Sequence, residues 1–183
     1  MVAVHRDAVQ IEFERIDFQH QLVGYGDPTP GDLVFASGRF IVDCGHGGDH
    51  LDSFKTEIHP PSVYTAVRSI TYNGRPGTEA DIWVNRFFPG GNAPTDAVEF
   101  DIYPPPRPSS QATLGASTPG NQTGAVSVTF NPIAFGPVRV HITATPGQPE
   151  VTNFGEMKMR TDDGAFGFDG RLHVYWSCPE GPC

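Results

Sequence analysis

Prolines and glycines divide this chain into short segments, and this punctuation constrains its fold more than any other feature. The sequence contains 21 glycines and 18 prolines in 183 residues. Neither residue is well tolerated inside a long helix, whereas both suit the turns between short strands. Between these breaks apolar and polar residues alternate, as in AVQIEFE at 8–14 and RLHVYW at 171–176. Alternation with a period of two predicts strands that each bury one face.

The number and spacing of these runs predict the fold class. We count ten or eleven short strands and no capped amphipathic helix, which predicts an all-β protein. The spacing favours an antiparallel β-sandwich of the jelly-roll or Ig-like kind, with a closed β-barrel as the alternative. Residues 1–183 are interpreted as a single β-sandwich domain, because this length suits one good-sized core. The segment PPPRPSS at 104–110 is predicted to be a stiff crossover between sheets, and ATLGASTPGNQT at 112–123 a loop.

The charge balance limits the classes of partner. The chain carries a net charge of -9 and only 12 Lys and Arg residues, which are scattered along it. Phosphate backbones and anionic lipids both require clustered basic residues, so we expect no nucleic-acid partner and no membrane partner. A glycan, another protein or a second copy of the chain fits better. No signal peptide is visible in the sequence, while the predicted fold type favours an extracellular or periplasmic location.

One stretch concentrates the groups that could bind a metal or move a proton. DCGHGGDHLDSFKTEIHPP, residues 43–61, holds three of the seven histidines, one of the three cysteines, three aspartates and a glutamate. It is predicted to be a hairpin: one strand ends near Asp43, a glycine-rich loop follows, and a short strand at 55–59 ends at Pro60 and Pro61. The strand ends would be rigid and the loop adaptable.

The spacing within this hairpin predicts a set of metal ligands. Glu57 and His59 are two residues apart on a strand, so their side chains leave the same face about 6.5 Å apart. Cross-strand neighbours approach to about 5 Å, so Asp43 would come near Glu57 or His59 if the register allows. With His46 from the loop, these residues are the predicted ligands of a divalent metal ion, zinc or calcium. The loop offers three additional ligands: His50, Asp49 and Asp52.

Other interpretations of the same residues remain open. A metal-free polar network that fixes the loop, or a general acid–base site without a metal, would use the same side chains. No organic cofactor is expected, since the chain has no P-loop and no GxGxxG after a strand. His141 and His173 lie in the middle of predicted strands and could complete a site if those strands neighbour the hairpin. Three cysteines are disulfide candidates without a determined pairing: Cys44, Cys178 and Cys183.

Part of the hairpin resembles a signature that occurs in uncharacterised bacterial proteins. The signature has the form G-R-W/F-I-x-D-C-G-H, a variable loop, and then x-E-I-H-P-P. It stands here as Gly38-Arg39-Phe40-Ile41 with Asp43-Cys44-Gly45-His46, followed by Thr56-Glu57-Ile58-His59-Pro60-Pro61. The resemblance covers about two dozen residues and implies no named activity.

The sequence supports three functional hypotheses. The first is a β-sandwich module, stabilised by a metal or a polar network, that acts in binding, adhesion or assembly. The second is a metal-dependent hydrolase or lyase with its site at 43–59. The third is a structural subunit of an extracellular filament or shell. Aromatic residues that could stack on sugars or fill the core accompany all three: Tyr64, Tyr72, Trp83, Tyr103, Tyr175 and Trp176.

Overall fold

The computed structural model describes residues 10–11, 28–43, 55–85, 97–117, 120–122, 126–144 and 166–179. All regular structure in these segments is β-strand, and no helix in them is long and apolar enough to cross a membrane. The strands in chain order are β1 (Gln10–Ile11), β2 (Leu33–Asp43), β3 (Lys55–Tyr72), β4 (Arg75–Asn85), β5 (Val98–Ile102), β6 (Thr113–Ser117), β7 (Gly120–Gln122), β8 (Val126–Pro132), β9 (Val138–Ala144) and β10 (Phe166–Ser177). The predicted all-β class is confirmed.

These strands form two sheets. The larger sheet has seven strands in the order β1-β3-β4-β10-β6, with β2 also paired to β3 and β7 also paired to β10. The smaller sheet has three strands in the order β5-β9-β8. The pairings are antiparallel except for the short parallel pairing of β1 with β3. The predicted antiparallel character is confirmed, and neither sheet closes into a barrel within the described residues.

Strands β2 and β3 form the hairpin that the sequence predicts around residues 43–55, but β3 is longer than expected. It runs from Lys55 to Tyr72 without stopping at Pro60 and Pro61, so the predicted strand end is wrong. A proline cannot donate a hydrogen bond to a ladder, and the pairing accommodates this locally. The β2–β3 register shifts on both sides of Gly38, which is the residue opposite Pro61. The ladder between β3 and β4 starts only at Val63, so it makes no demand on either proline.

The turn between β3 and β4 follows directly from its sequence. Asn73 and Gly74 adopt positive φ angles of 50° and 78°, and Tyr72 pairs with Arg75 across them. Two central residues with positive φ define the tight hairpin turn that matches the right-handed twist of its strands, and Asn-Gly is its preferred sequence. The turn therefore forms where its sequence favours it, and β4 begins immediately after it.

The core lies between the two sheets. Alternate residues of the larger sheet, such as Val63, Ile82 and Leu172, are almost completely buried in one cluster with residues of the smaller sheet, such as Val140 and Ile142. Full burial of each aliphatic side chain of this size contributes roughly 1.5–3 kcal/mol. Residues of the two sheets therefore share one hydrophobic core.

The proline-rich segment after β5 joins the smaller sheet to β6 of the larger one. Three side chains hold it in place. Thr78 Oγ1 donates a hydrogen bond to the Tyr103 carbonyl at 2.7 Å, and Trp176 Nε1 donates one to the Pro105 carbonyl at 2.7 Å. Arg107 donates to the Ser110 and Ala112 carbonyls and packs 4.0 Å from the Phe135 ring centroid. The backbone of this segment is therefore fixed against the larger sheet, and the Arg107 side chain contacts the loop between β8 and β9.

The predicted loop at 112–123 is wrong, because β6 and β7 lie within it. Both strands pair with β10, β6 opposite His173–Ser177 and β7 opposite Phe168–Gly170. Their sequences are rich in Gly, Ser, Thr and Asn, which are typical of loops. Pairing along the edge of the long strand β10 overrides this weak local preference.

Candidate functional site

The predicted metal-binding hairpin is described in part. Asp43 is the last residue of β2, and Glu57 and His59 lie on β3. The register places Asp43 opposite Lys55, and it places Glu57 opposite Ile41. Asp43 is therefore not the direct cross-strand neighbour of Glu57 or His59. The remaining candidates lie outside the described residues: Cys44, His46, Asp49, His50, Asp52 and Cys183.

Glu57 is an acidic residue in an almost completely buried position. Its side chain is 1% exposed, although it lies on a strand with Ile41 on one side and Gln10 of β1 on the other. Burial of a carboxylate is costly unless partners satisfy it, so a fully buried glutamate marks a polar site within the hairpin.

The described residues themselves do not assemble a metal site. Within the described segments no group of three His, Cys, Asp or Glu side chains is placed to hold a metal ion. Of the four predicted ligands, Glu57 alone has a described side chain. The metal ligand set therefore stays a prediction.

Cys178 is disulfide-bonded. It follows β10, at the end of the strand that lies between β4 and β6. The other two cysteines of the chain, Cys44 and Cys183, are the candidates for its partner, and both lie outside the described residues. A disulfide of this kind is typical of proteins from oxidising compartments.

The densest group of charged side chains in the described residues lies elsewhere, on the outer face of the larger sheet. Strands β3, β4 and β10 bring them together through direct cross-strand pairs, Arg68 with Glu79, Glu79 with His173, and Asp81 with Arg171. We call this group the outer-face cluster, and its members are Asp32, Arg68, Glu79, Asp81, Arg171 and His173.

The outer-face cluster is held by short, largely buried ion pairs. Arg171 binds Asp81 through two nitrogens, at 2.6 and 3.2 Å, and Arg68 lies 3.0 Å from the same carboxylate. Arg68 also contacts Asp32 at 3.2 Å and Glu79 at 3.3 Å. His173 Nε2 lies 3.0 Å from Glu79. The Asp81 and Glu79 side chains are 6% and 12% exposed, so solvent screens these pairs weakly.

The outer-face cluster has the chemistry of a structural ion-pair network rather than that of a reactive site. Each carboxylate is within ion-pair distance of at least one guanidinium. The backbone amide of Thr29, which donates to Asp32, lowers the pKa of that carboxyl, and Arg68 lowers it further. A carboxylate that is stabilised in its charged form is a poor proton acceptor. The cluster therefore fastens three strands and the start of β2 to one another.

The two strand histidines have their own partners. His173 belongs to the outer-face cluster and also stacks on Tyr72, with ring centroids 4.4 Å apart. His141 lies on the smaller sheet, where its Nδ1 is 2.7 Å from Glu99 on the neighbouring strand β5. The structure therefore gives both histidines carboxylate partners away from the hairpin at 43–59.

A second candidate for a functional site is a groove of about 740 Å³ between β2 and β5. We call it the edge groove. One wall is the start of β2, Leu33–Phe35 with the preceding turn, and the other wall is the end of β5 with the prolines that follow it, Phe100–Pro106. The stacked rings of Phe35 and Phe100, with centroids 4.4 Å apart, connect the two walls.

At the edge groove, an apolar side chain that faces the core is exposed to solvent. Leu33 lies opposite Val67, which packs against the core, and directly opposite residues share one face of a sheet. Leu33 therefore points to the core side, yet it is 74% exposed. Tyr103, on the other wall, is 65% exposed. A leucine on a core-facing position with this exposure indicates apolar volume that the described chain does not fill.

Both walls of the edge groove are edges of sheets. Among the described strands β2 pairs only with β3, and β5 pairs only with β9. The second edge of each strand therefore carries backbone N–H and C=O groups that no described strand uses. The sequence alone does not identify this groove. The apolar start of LVFASGRF at 33–40 is the one local signal, whereas the position of β2 at an edge that no described strand pairs depends on strand order.

The aromatic residues that suggested a sugar-binding face are mostly internal. Tyr64, Trp83 and Trp176 are at most 5% exposed. Tyr72 and Tyr175 pack against each other, with ring centroids 4.9 Å apart. Tyr103 alone of the six is largely exposed, so these six residues do not form an exposed stacking platform for sugars.

Comparison of the chain with protein-family models, with curated proteins and with solved structures found no match.

Proposed function

We propose that this protein is a β-sandwich module that binds another protein, and that its ligand is an extended polypeptide segment held in the edge groove. The observation that carries the proposal is the exposure of Leu33 at a core-facing position beside two strand edges. An extended segment supplies both things that such a groove lacks, apolar side chains for the open core and a backbone for the open edge.

The two packed sheets support the sandwich architecture on which this proposal rests. Two antiparallel sheets with alternating inward side chains and one shared core are the defining features of a sandwich. We propose that this sandwich is of the jelly-roll or Ig-like kind that the sequence predicts.

The composition of the edge groove favours a polypeptide over a glycan. Its walls are built mainly from aliphatic, phenylalanine and proline side chains, and the charged groups at its rim are already paired. Asp32 contacts Arg68, and Asp101 forms two hydrogen bonds with Arg139. Sugar sites need unpaired polar groups that match the hydroxyls, whereas strand addition uses backbone groups and apolar pockets.

The alternative of a metal-dependent hydrolase or lyase depends on the hairpin at 43–59. Its one described ligand, Glu57, is buried on β3. The alternative of a subunit in a filament or shell would use the same edge groove for a neighbouring subunit. The binding module is the proposal that the described residues support best.

Titration with a model strand tests the proposal. A ten-residue peptide of alternating valine and threonine, with lysines at its ends for solubility, is added to the full chain and followed by calorimetry and by amide NMR shifts. We expect saturable binding, with shifts confined to β2 and β5.

Two variants make this experiment specific. Leu33→Glu should abolish the binding, because it places a charge in the open apolar volume. Ile133→Glu, in the loop between β8 and β9, changes another exposed aliphatic residue and should leave the binding intact. Absence of saturable binding to the parent protein, or equal binding to the Leu33 variant, would overturn the proposal.

A further inference from the structure

We infer that the partner segment binds by adding as a short strand to the edge of β2 over Leu33–Ser37, and that this segment is basic. The inference rests on the proposed function, because it specifies the edge, the length and the charge of the segment that occupies the edge groove. Four observations carry it.

The first observation selects β2 over β5 as the pairing edge. Strand β5 ends at Ile102 and is followed within two residues by Pro104, Pro105 and Pro106, which have no backbone N–H to donate. The Tyr103 carbonyl already accepts a hydrogen bond from Thr78. The groove-lining end of β5 therefore offers little to a new strand, whereas β2 has no proline.

The second observation limits the length of the added strand. The β2–β3 register is continuous from Leu33 to Ser37 and then shifts at Gly38 and again before Phe40. Such irregularities bend the strand and interrupt the spacing of its edge groups. A straight partner can therefore follow β2 for about five residues, or about 17 Å, before its hydrogen bonds no longer match.

The third observation concerns the side chains. In a strand added to β2, alternate side chains point to the core side, in line with Leu33 and Phe35. These would enter the open volume beside the Phe35–Phe100 stack and cover the exposed face of Leu33. The partner is therefore a segment with two or three apolar residues at alternate positions.

The fourth observation is the charge, which distinguishes a foreign segment from a second copy of the chain. The chain has a net charge of -9, so two copies repel each other. The charged groups at the groove rim are paired, Asp32 with Arg68 and Asp101 with Arg139, so the attraction comes from the net charge of the whole chain. A segment with Lys or Arg beside its apolar residues is attracted to this surface and steered to it.

Backbone methylation of the model peptide tests the inference. Each amide of the lysine-flanked valine–threonine peptide is N-methylated in turn, which removes one donor and keeps every side chain. Addition to a single edge predicts a period of two: methylation of amides that face β2 weakens binding about tenfold, and methylation of the amides between them has little effect. A uniform response along the peptide would overturn strand addition.

Length and charge series complete the test. Affinity should rise up to about five or six central residues and then stay constant, because the register shift at Gly38 ends the pairing. Exchange of the flanking lysines for glutamates should weaken binding about tenfold at low salt, and much less at high salt. Affinity that keeps rising with length, or that ignores the exchange, contradicts the inference.

These outcomes separate the inference from the proposed function. If the parent peptide binds and Leu33→Glu abolishes binding while methylation has no periodic effect, the groove binds a segment by its side chains alone. The proposed function then stands and strand addition falls. If the parent peptide does not bind at all, the proposed function falls with it.

Discussion

The outer-face cluster and the edge groove are both formed by the larger sheet, but they differ in what the described chain leaves incomplete. In the outer-face cluster the acidic and basic groups are matched across three strands, and the Asp81 side chain is only 6% exposed. In the edge groove a core-facing leucine is 74% exposed and two strand edges have no described partner strand. One region is closed by its own contacts, and the other is open.

This difference shows why charge density alone is a poor guide to function in this protein. Charged groups on neighbouring strands satisfy one another and become part of the scaffold. An exposed apolar side chain and the free backbone groups of a strand edge are buried and hydrogen-bonded only when another chain segment packs against them. Arg68 and Asp32 link the two regions, because both belong to the outer-face cluster and both line the edge groove.

Among substitutions of charged residues, the largest effect is expected from breaking the outer-face cluster. Asp81→Ala removes the carboxylate shared by Arg68 and Arg171 and leaves two guanidiniums facing Glu79. We expect a loss of about 3 kcal/mol in the free energy of unfolding, at the lower end for buried pairs because both arginines retain some solvent contact. Urea unfolding measures it.

Asp101→Ala is the matched control for this prediction. It also removes an aspartate bound by two nitrogens of one arginine, Arg139, but that arginine is 44% exposed. The expected loss is much smaller than that of Asp81→Ala, because solvent screens an ion pair whose arginine is exposed. Equal losses in the two variants would show that the outer-face cluster is no more than a set of surface pairs.

A metal ion at residues 43–59 would add a second closed polar region to the comparison. If Asp43, His46, Glu57 and His59 bind zinc or calcium, removal of the ion by EDTA should lower the free energy of unfolding by about 2.7 kcal/mol at a metal concentration 100 times its Kd. His59→Ala should abolish this difference. Asp49→Ala should do so only if the ion is calcium, which needs more oxygen ligands. Protein purified without added metal that contains no metal, and whose melting is unaffected by EDTA, would rule out the site.

Two threonines on the core side of the larger sheet test how much hydrogen bonding of buried hydroxyl groups contributes to stability. Thr65 is completely buried, and its hydroxyl has no hydrogen-bond partner among the described residues. Thr65→Val should therefore raise the free energy of unfolding by about 1 kcal/mol. Thr78, which is also buried, donates to the Tyr103 carbonyl beside the groove, so Thr78→Val should lower it by a similar amount. Changes of the same sign in both variants would contradict this explanation.

The parts of the fold that sequence could predict are those fixed by local chemistry. The Asn73-Gly74 turn, the alternation of Leu172 with His173, and the hairpin on either side of residues 44–54 all follow from neighbouring residues. The strands β6 and β7 do not, since their pairing with β10 comes from distant parts of the chain. Pro60 and Pro61 misled the prediction of the end of β3, because a register shift in the partner strand accommodates them.

The candidate site was less predictable than the fold for the same reason. The hairpin at 43–61 attracts attention because its ligand-type residues are close in sequence. The residues of the outer-face cluster come from four separate segments, as Asp32, Arg68, Glu79 and Arg171 show. No local sequence pattern predicts that they meet. The edge groove is harder still to predict, since no local pattern distinguishes Leu33 from other strand leucines. Its place beside an edge that no described strand pairs depends on strand order.

The smallest stability effect is expected at Leu33, the exposed leucine of the edge groove. Leu33→Ser should change the free energy of unfolding of the free protein by less than about 0.5 kcal/mol, because the side chain is already 74% exposed. Leu172→Ala, at a fully buried position of the same sheet, should cost about 2–5 kcal/mol. Urea unfolding of the two variants without any peptide makes the measurement. A loss at Leu33 as large as that at Leu172 would mean that the free chain fills the edge groove itself, and the contrast between a closed face and an open edge would disappear. A negligible loss, together with the loss of peptide binding, would show that Leu33 stabilises the complex and contributes little to the free protein.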